Sequence, residues 1–146
     1  MPMIDVYAEA GTFPNESFRA LGHELTHAVL RAEGVLKPGP FHFNNTAAFL
    51  HMMPSGSVWT AADDGARVVR VQVITPPSAL SRVGQVQLTK EITELIAKFS
   101  GDASQETRTW VLLSEAAEGG WGIAGTAFGK TEFGELAARA KAAAGL

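Results

Sequence analysis

Val68-Val69-Arg70-Val71-Gln72-Val73-Ile74-Thr75, halted by Pro76 and Pro77, is a β-branched run with the alternation of a strand. Roughly 65 residues earlier, Pro2 to Ala8 has the same character and is broken by Gly11 and Pro14. Each run is followed by a stripe at helical spacing. In the first half Phe18, Leu21, Leu25, Ala28, Val29 and Ala32 fall on one side of a helix over about Asn15 to Glu33, with Gly34 as C-cap. In the second half Leu88, Ile92, Leu95, Ile96 and Phe99 form the stripe. A further apolar run closes each half: Thr46 to Met53 after the Pro38-Gly39-Pro40 linker, and Thr107 to Ser114. The chain therefore reads β-α-β twice, with units at about residues 2–58 and 67–130 and a C-terminal helical tail, all in one domain spanning residues 1–146. Right-handed crossovers make each strand pair parallel. The expected fold is of the α/β or α+β class: two tandem βαβ units forming one four-stranded sheet with both helices on one face. The other face is expected to be largely apolar and uncovered, which predicts self-association.

Composition narrows the chemistry. Twelve basic and fifteen acidic residues give a net charge of −3 without blocks of one sign, so neither nucleic acid nor an anionic membrane is an expected partner. The N-terminus has acids where a secretory leader has a basic region and a long apolar stretch, which predicts a cytoplasmic protein. With no cysteine, chemistry falls to His, Asp, Glu, Ser, Lys or a terminal amine. Pro2 is the distinctive candidate. Removal of Met1 ahead of a small residue leaves a secondary amine, and burial or a neighbouring cation lowers the affinity of such an amine for its proton, as a general base requires.

Two segments carry a resemblance. They are Pro2-Met3-Ile4-Asp5-Val6-Tyr7 with Gly11 behind it, and the stretch from Trp110 through Ser114-Glu115, Gly119-Gly120-Trp121-Gly122 to Gly125. Together they resemble the tautomerase superfamily, of which 4-oxalocrotonate tautomerase is the best-known member, in its fused, double-length form. The resemblance implies a cofactor-free isomerase acting on an enol or keto acid, a homotrimer, and Pro2 as catalytic base. It implies an aromatic pocket wall at Trp121. Aligning the halves puts Arg70, within a residue or so, where Pro2 stands in the first unit, either as a carboxylate ligand or as an ion-pair partner. Trp110 and His27 complete the expected substrate contacts. Departures from the family pattern are Thr12, Ala47 and Trp110 where arginines often stand, and Leu112 and Ile123 at the positions that activate water in the dehalogenating branch. They point to a monoacid or neutral substrate and away from hydrolytic dehalogenation.

Two other readings stay open. His23-Glu24-Leu25-Thr26-His27 is an H-E-x-x-H string that places two histidines on one helix face, as in zinc peptidases, with His23 and His27 as metal ligands and Glu24 as base. Its third ligand is missing or supplied by Glu33. His42 and His51 read as loop and strand residues. A non-catalytic oligomer that keeps the tautomerase fold is the other alternative.

Overall fold

Alternating burial along each strand decides how the layers form. The computed structural model describes residues 1–62 and 67–145. In β1 (Met3–Glu9) Ile4, Val6 and Ala8 are wholly buried, and in β3 (Val69–Thr75) so are Val69, Val71 and Val73. This is the period-two pattern of strands with one covered face. The cover is α1 (Ser17–Ala32), with Leu21, Leu25, Ala28 and Val29, and α3 (Arg82–Ser100), with Leu88, Ile92 and Ile96. Both helices thus lie on one face.

The sheet runs β2-β1-β3-β4, with β2 at Ala47–Met53 and β4 at Thr109–Glu115. β1 pairs in parallel with β2 and β3 in parallel with β4, while β1 and β3 meet antiparallel with Met3 opposite Ile74 and Tyr7 opposite Arg70. The two expected βαβ units are therefore joined along their first strands, related by a near two-fold axis.

Local chemistry fixes the helix ends. Ser81 Oγ accepts from the Gly84 N–H at 3.1 Å, capping α3, and Gly101 at φ 72° ends it. Gly84 also lets the helices approach, since a Cβ there would stand 2.8 Å from the Ala32 carbonyl oxygen of α1. A short α2 (Pro40–Asn44) occupies the expected linker, because Pro40 at the first helical position has its φ pre-set. β4 starts two residues later than the apolar pattern suggests. A 3-10 turn at Ala103–Arg108 takes those residues, with Asp102 accepting from Ser104 N–H at 2.9 Å and from Arg108 Nη2 at 2.8 Å.

Beyond β4 come the hairpin β5 (Trp121–Ile123) and β6 (Thr126–Phe128) and the C-terminal α4 (Lys130–Ala143). The hairpin turns through Ala124 and Gly125, both at positive φ, as a two-residue turn matching strand twist demands.

The open sheet face is less apolar than expected. Phe49, Trp110 and Leu112 are 48%, 54% and 42% exposed on it, but polar groups run between them. Asp5 Oδ1 bonds His51 Nε2 at 2.5 Å, His51 stacks on Tyr7, Arg70 lies over the Tyr7 ring, and Gln72 donates to Ser114 Oγ at 3.1 Å. Among the described residues no helix is long and apolar enough to cross a membrane.

Candidate functional site

The start of β1 is drawn into the protein. The Pro2 carbonyl accepts from Ala47 N–H at 3.3 Å, continuing the ladder with β2, and both Met1 and Pro2 are buried. The Met1 ammonium then reaches the residue after α1, donating to Glu33 Oε2 at 2.7 Å, with each side chain only 5% exposed. α1 turns Glu33 inward at its last turn, where the Glu33 N–H still bonds the Val29 carbonyl at 2.9 Å. Glu33 Oε1 is buried with no partner among the described residues.

Burial pushes the Glu33 carboxyl above the usual carboxylate range, and the adjoining ammonium opposes that shift without cancelling it. His42 on α2 is shifted the other way. Burial, and then the ammonium, hold its imidazole below the ordinary histidine value, and its Nδ1 accepts from Gly39 N–H at 3.2 Å, which leaves the proton of the neutral ring on Nε2.

These groups lie at the floor of a cavity of about 440 Å³. Its walls are mostly apolar: Phe41 from α2, Pro76 and Pro77 beyond β3, and Phe133, Leu136 and Ala140 from α4. Lys130, at the start of α4, is on the lining too. Glu118 Oε1 accepts from the Lys130 N–H at 2.6 Å and Phe128 lies 5.2 Å from Phe133, so the hairpin anchors the helix that roofs the cavity. An apolar chamber with one ion pair, one neutral imidazole and one ammonium can exclude water from a small acid and move protons on it.

Of the substrate and base residues singled out from sequence, Pro2 adjoins this cavity through Met1, which lines it. Arg70 and Trp110 line a separate cavity of about 340 Å³ with Tyr7, Met53 and Trp59. That cavity is at the far end of β1, since Arg70 pairs with Tyr7. Matching the buried helix residues, Leu21, Leu25 and Val29 onto Leu88, Ile92 and Ile96, and the positive-φ residues Gly11 and Ser78 that follow the first strands, sets Val69 at Pro2 and Arg70 at Met3. Arg70 therefore stands one position from the place equivalent to Pro2, and the antiparallel join of β1 and β3 puts that place at the opposite end of the sheet from Pro2 itself. Trp121 lies on the hairpin and does not line the terminal cavity. His27 lies on the exposed side of α1, its ring stacked 4.1 Å from that of His23, and it too is absent from the lining.

Glu33, which spacing offered as a third zinc ligand, turns away from both histidines to the Met1 amine. Among the described residues no three His, Cys, Asp or Glu side chains gather as a metal site. Glu33 in its pairing role, His42 and Lys130 escaped the sequence reading. An acid at a helix end and a histidine between prolines look solvated, and only the fold turns them inward.

No family profile matches the chain, and no curated protein matches it in sequence. Solved structures do match. A fused 4-OT described as a wild-type symmetric trimer superposes with a TM-score of 0.73 at 18% identity, covering 90% of this chain and 98% of that one. A macrophage migration inhibitory factor-like protein from Entamoeba histolytica gives 0.67 at 16%, covering 87% and 98%. Malonate semialdehyde decarboxylase gives 0.64 at 18%, covering 92% and 98%. With two βαβ units joined along β1 and β3, and near-complete coverage of those structures, the chain has the tautomerase superfamily fold in its fused, double-length arrangement.

Proposed function

We propose that the protein is a cofactor-free tautomerase that moves a proton on a small enol or keto acid, with Pro2 as catalytic residue once Met1 is removed. The observation that carries this reading is the chain's own α-amine at the floor of a largely apolar cavity. A proton is taken from the carbon next to a carbonyl and returned elsewhere on the conjugated system, which needs a neutral amine, a dry site and a group to orient the acid. Lys130 supplies a cation for one carboxylate, consistent with a monoacid.

The protein acts as a homotrimer in this reading. Support comes from the exposed Phe49, Trp110 and Leu112 on the open sheet face and from the trimeric assembly described for the fused 4-OT. Arg70, Trp110 and Trp121 enter as side chains that a neighbouring protomer brings to the cavity; His27 has no such part.

Intact mass, followed by an ultraviolet assay with phenylenolpyruvate or 2-hydroxymuconate on the parent and on Pro2→Ala, tests the proposal. A mass lacking one methionine, and a loss of about 10²-fold or more in kcat for Pro2→Ala, are expected. Equal rates in the two proteins, or a retained Met1 on an active protein, overturn it. In the same assay Arg70→Ala and Trp121→Ala are expected to raise KM, and unchanged constants remove them from the site.

A further inference from the structure

Resting on that reading, we propose that Glu33 is the second acid–base group of the site, sharing a single proton with the Pro2 amine so that the amine acts as base and the carboxylic acid as acid. The geometry is a buried pairing of the chain terminus with a carboxylate: Met1 N stands 2.7 Å from Oε2, and the side chain is 5% exposed. Removing Met1 passes the terminal amine one peptide unit along, about 3.8 Å between Cα atoms, on a segment held by the Pro2 carbonyl bond to Ala47. Oε1, buried and unpartnered, leaves the carboxyl a second oxygen to serve either the amine or a bound substrate.

The pair has two arrangements of equal net charge, ammonium with carboxylate and amine with carboxylic acid. In water the first prevails. Against Phe41, Phe133 and Leu136, where neither charge is well solvated, the second comes closer in free energy to the first and is the reactive arrangement, offering a free lone pair and an O–H donor at once. The other titratable groups on the lining are His42 from α2, kept neutral at pH 7 by burial, and Lys130 from α4. Neither is a base for the substrate carbon: His42 already uses Nδ1 as an acceptor for Gly39 N–H, and Lys130 is the partner of the substrate carboxylate.

The step balances. Pro2 nitrogen takes the proton from the carbon beside the substrate carbonyl, the C–H electron pair becomes the new C–C π bond, and the carbonyl π pair moves onto oxygen. Glu33 O–H gives its proton to that oxygen. The products are the enol and the ammonium–carboxylate pair, which regains its uncharged form by passing one proton from nitrogen to oxygen. Ketonisation runs the same path in reverse.

The test uses the full chain with Met1 removed, labelled with 15N-proline, as parent, Glu33→Gln and Glu33→Asp. Two quantities are followed against pH: the Pro2 nitrogen resonance, and kcat with phenylenolpyruvate. The parent is expected to give a bell-shaped profile. Glu33→Gln should lose the alkaline limb, fall about 10²-fold at its plateau, and shift the nitrogen titration to lower pH. Glu33→Asp should restore the alkaline limb in part, separating chemistry from folding. A nitrogen titrating at the same pH in parent and Glu33→Gln, or superimposable rate profiles, overturns the proposal. A shifted titration in a protein without turnover upholds the pairing and counts against the tautomerase reading alone.

Discussion

Glu33 is a buried acid at the end of an amphipathic helix, and folding raises the affinity of its carboxyl for a proton because burial outweighs the nearby ammonium. Such a group binds its proton more tightly in the native chain than in the unfolded one. Its stabilising contribution is therefore fully present below the unfolded value, 4.5, and is lost as pH rises through the raised folded value. Glu33→Gln removes that dependence. Its melting temperature relative to the parent is expected to improve from pH 4 to pH 7, and a difference that does not change with pH would mean that Glu33 titrates like an exposed carboxyl. The buried carboxyl thus costs stability once it ionises, a condition common at functional sites.

The elements that set the cavity are held by short-range contacts that single substitutions test. α1 and α3 touch through Gly84, where an added Cβ meets a backbone oxygen and not a yielding side-chain tip. Gly84→Ala is expected to destabilise the fold by about 1–3 kcal/mol, measured by denaturant unfolding, despite the better helix propensity of alanine; a neutral or stabilising change would mean that the helices slide apart freely. α4 is different. None of its residues is buried, and its anchors are Glu118 at the Lys130 N–H and the contact of Phe133 with Phe128. The roof of the cavity is thereby its least secured wall.

The open sheet face decides the assembly of the whole molecule. Helices cover one face and leave Phe49, Trp110 and Leu112 in contact with water on the other, with no further element laid over them among the described residues. The parent is expected to sediment as a trimer, and Leu112→Lys to dissociate to smaller species while its far-ultraviolet circular dichroism is kept. A monomeric parent at micromolar concentration would remove the trimer from the functional reading. The polar string Asp5-His51-Tyr7-Arg70 across the same face supplies directional contacts within the chain, so a partner packing there meets a patterned surface and not a uniformly greasy one.

Local periodicity was enough for the fold. Alternation in Pro2 to Ala8 and Val68 to Thr75, and the stripes of Leu21, Leu25 and Ala28 and of Leu88, Ile92 and Ile96, are properties of neighbouring residues, and burying one face of each leaves little choice but two βαβ units on one sheet. The strand that follows Pro2 was legible for the same reason. What surrounds Pro2 was not. Glu33 meets the terminal amine across 32 residues, His42 and α4 arrive from separate segments, and Arg70 moves to the other end of the sheet, because the antiparallel join of β1 and β3 runs the two halves in opposite directions. Which side chains share a cavity is set by how the elements pack together, and no spacing along the chain encodes it.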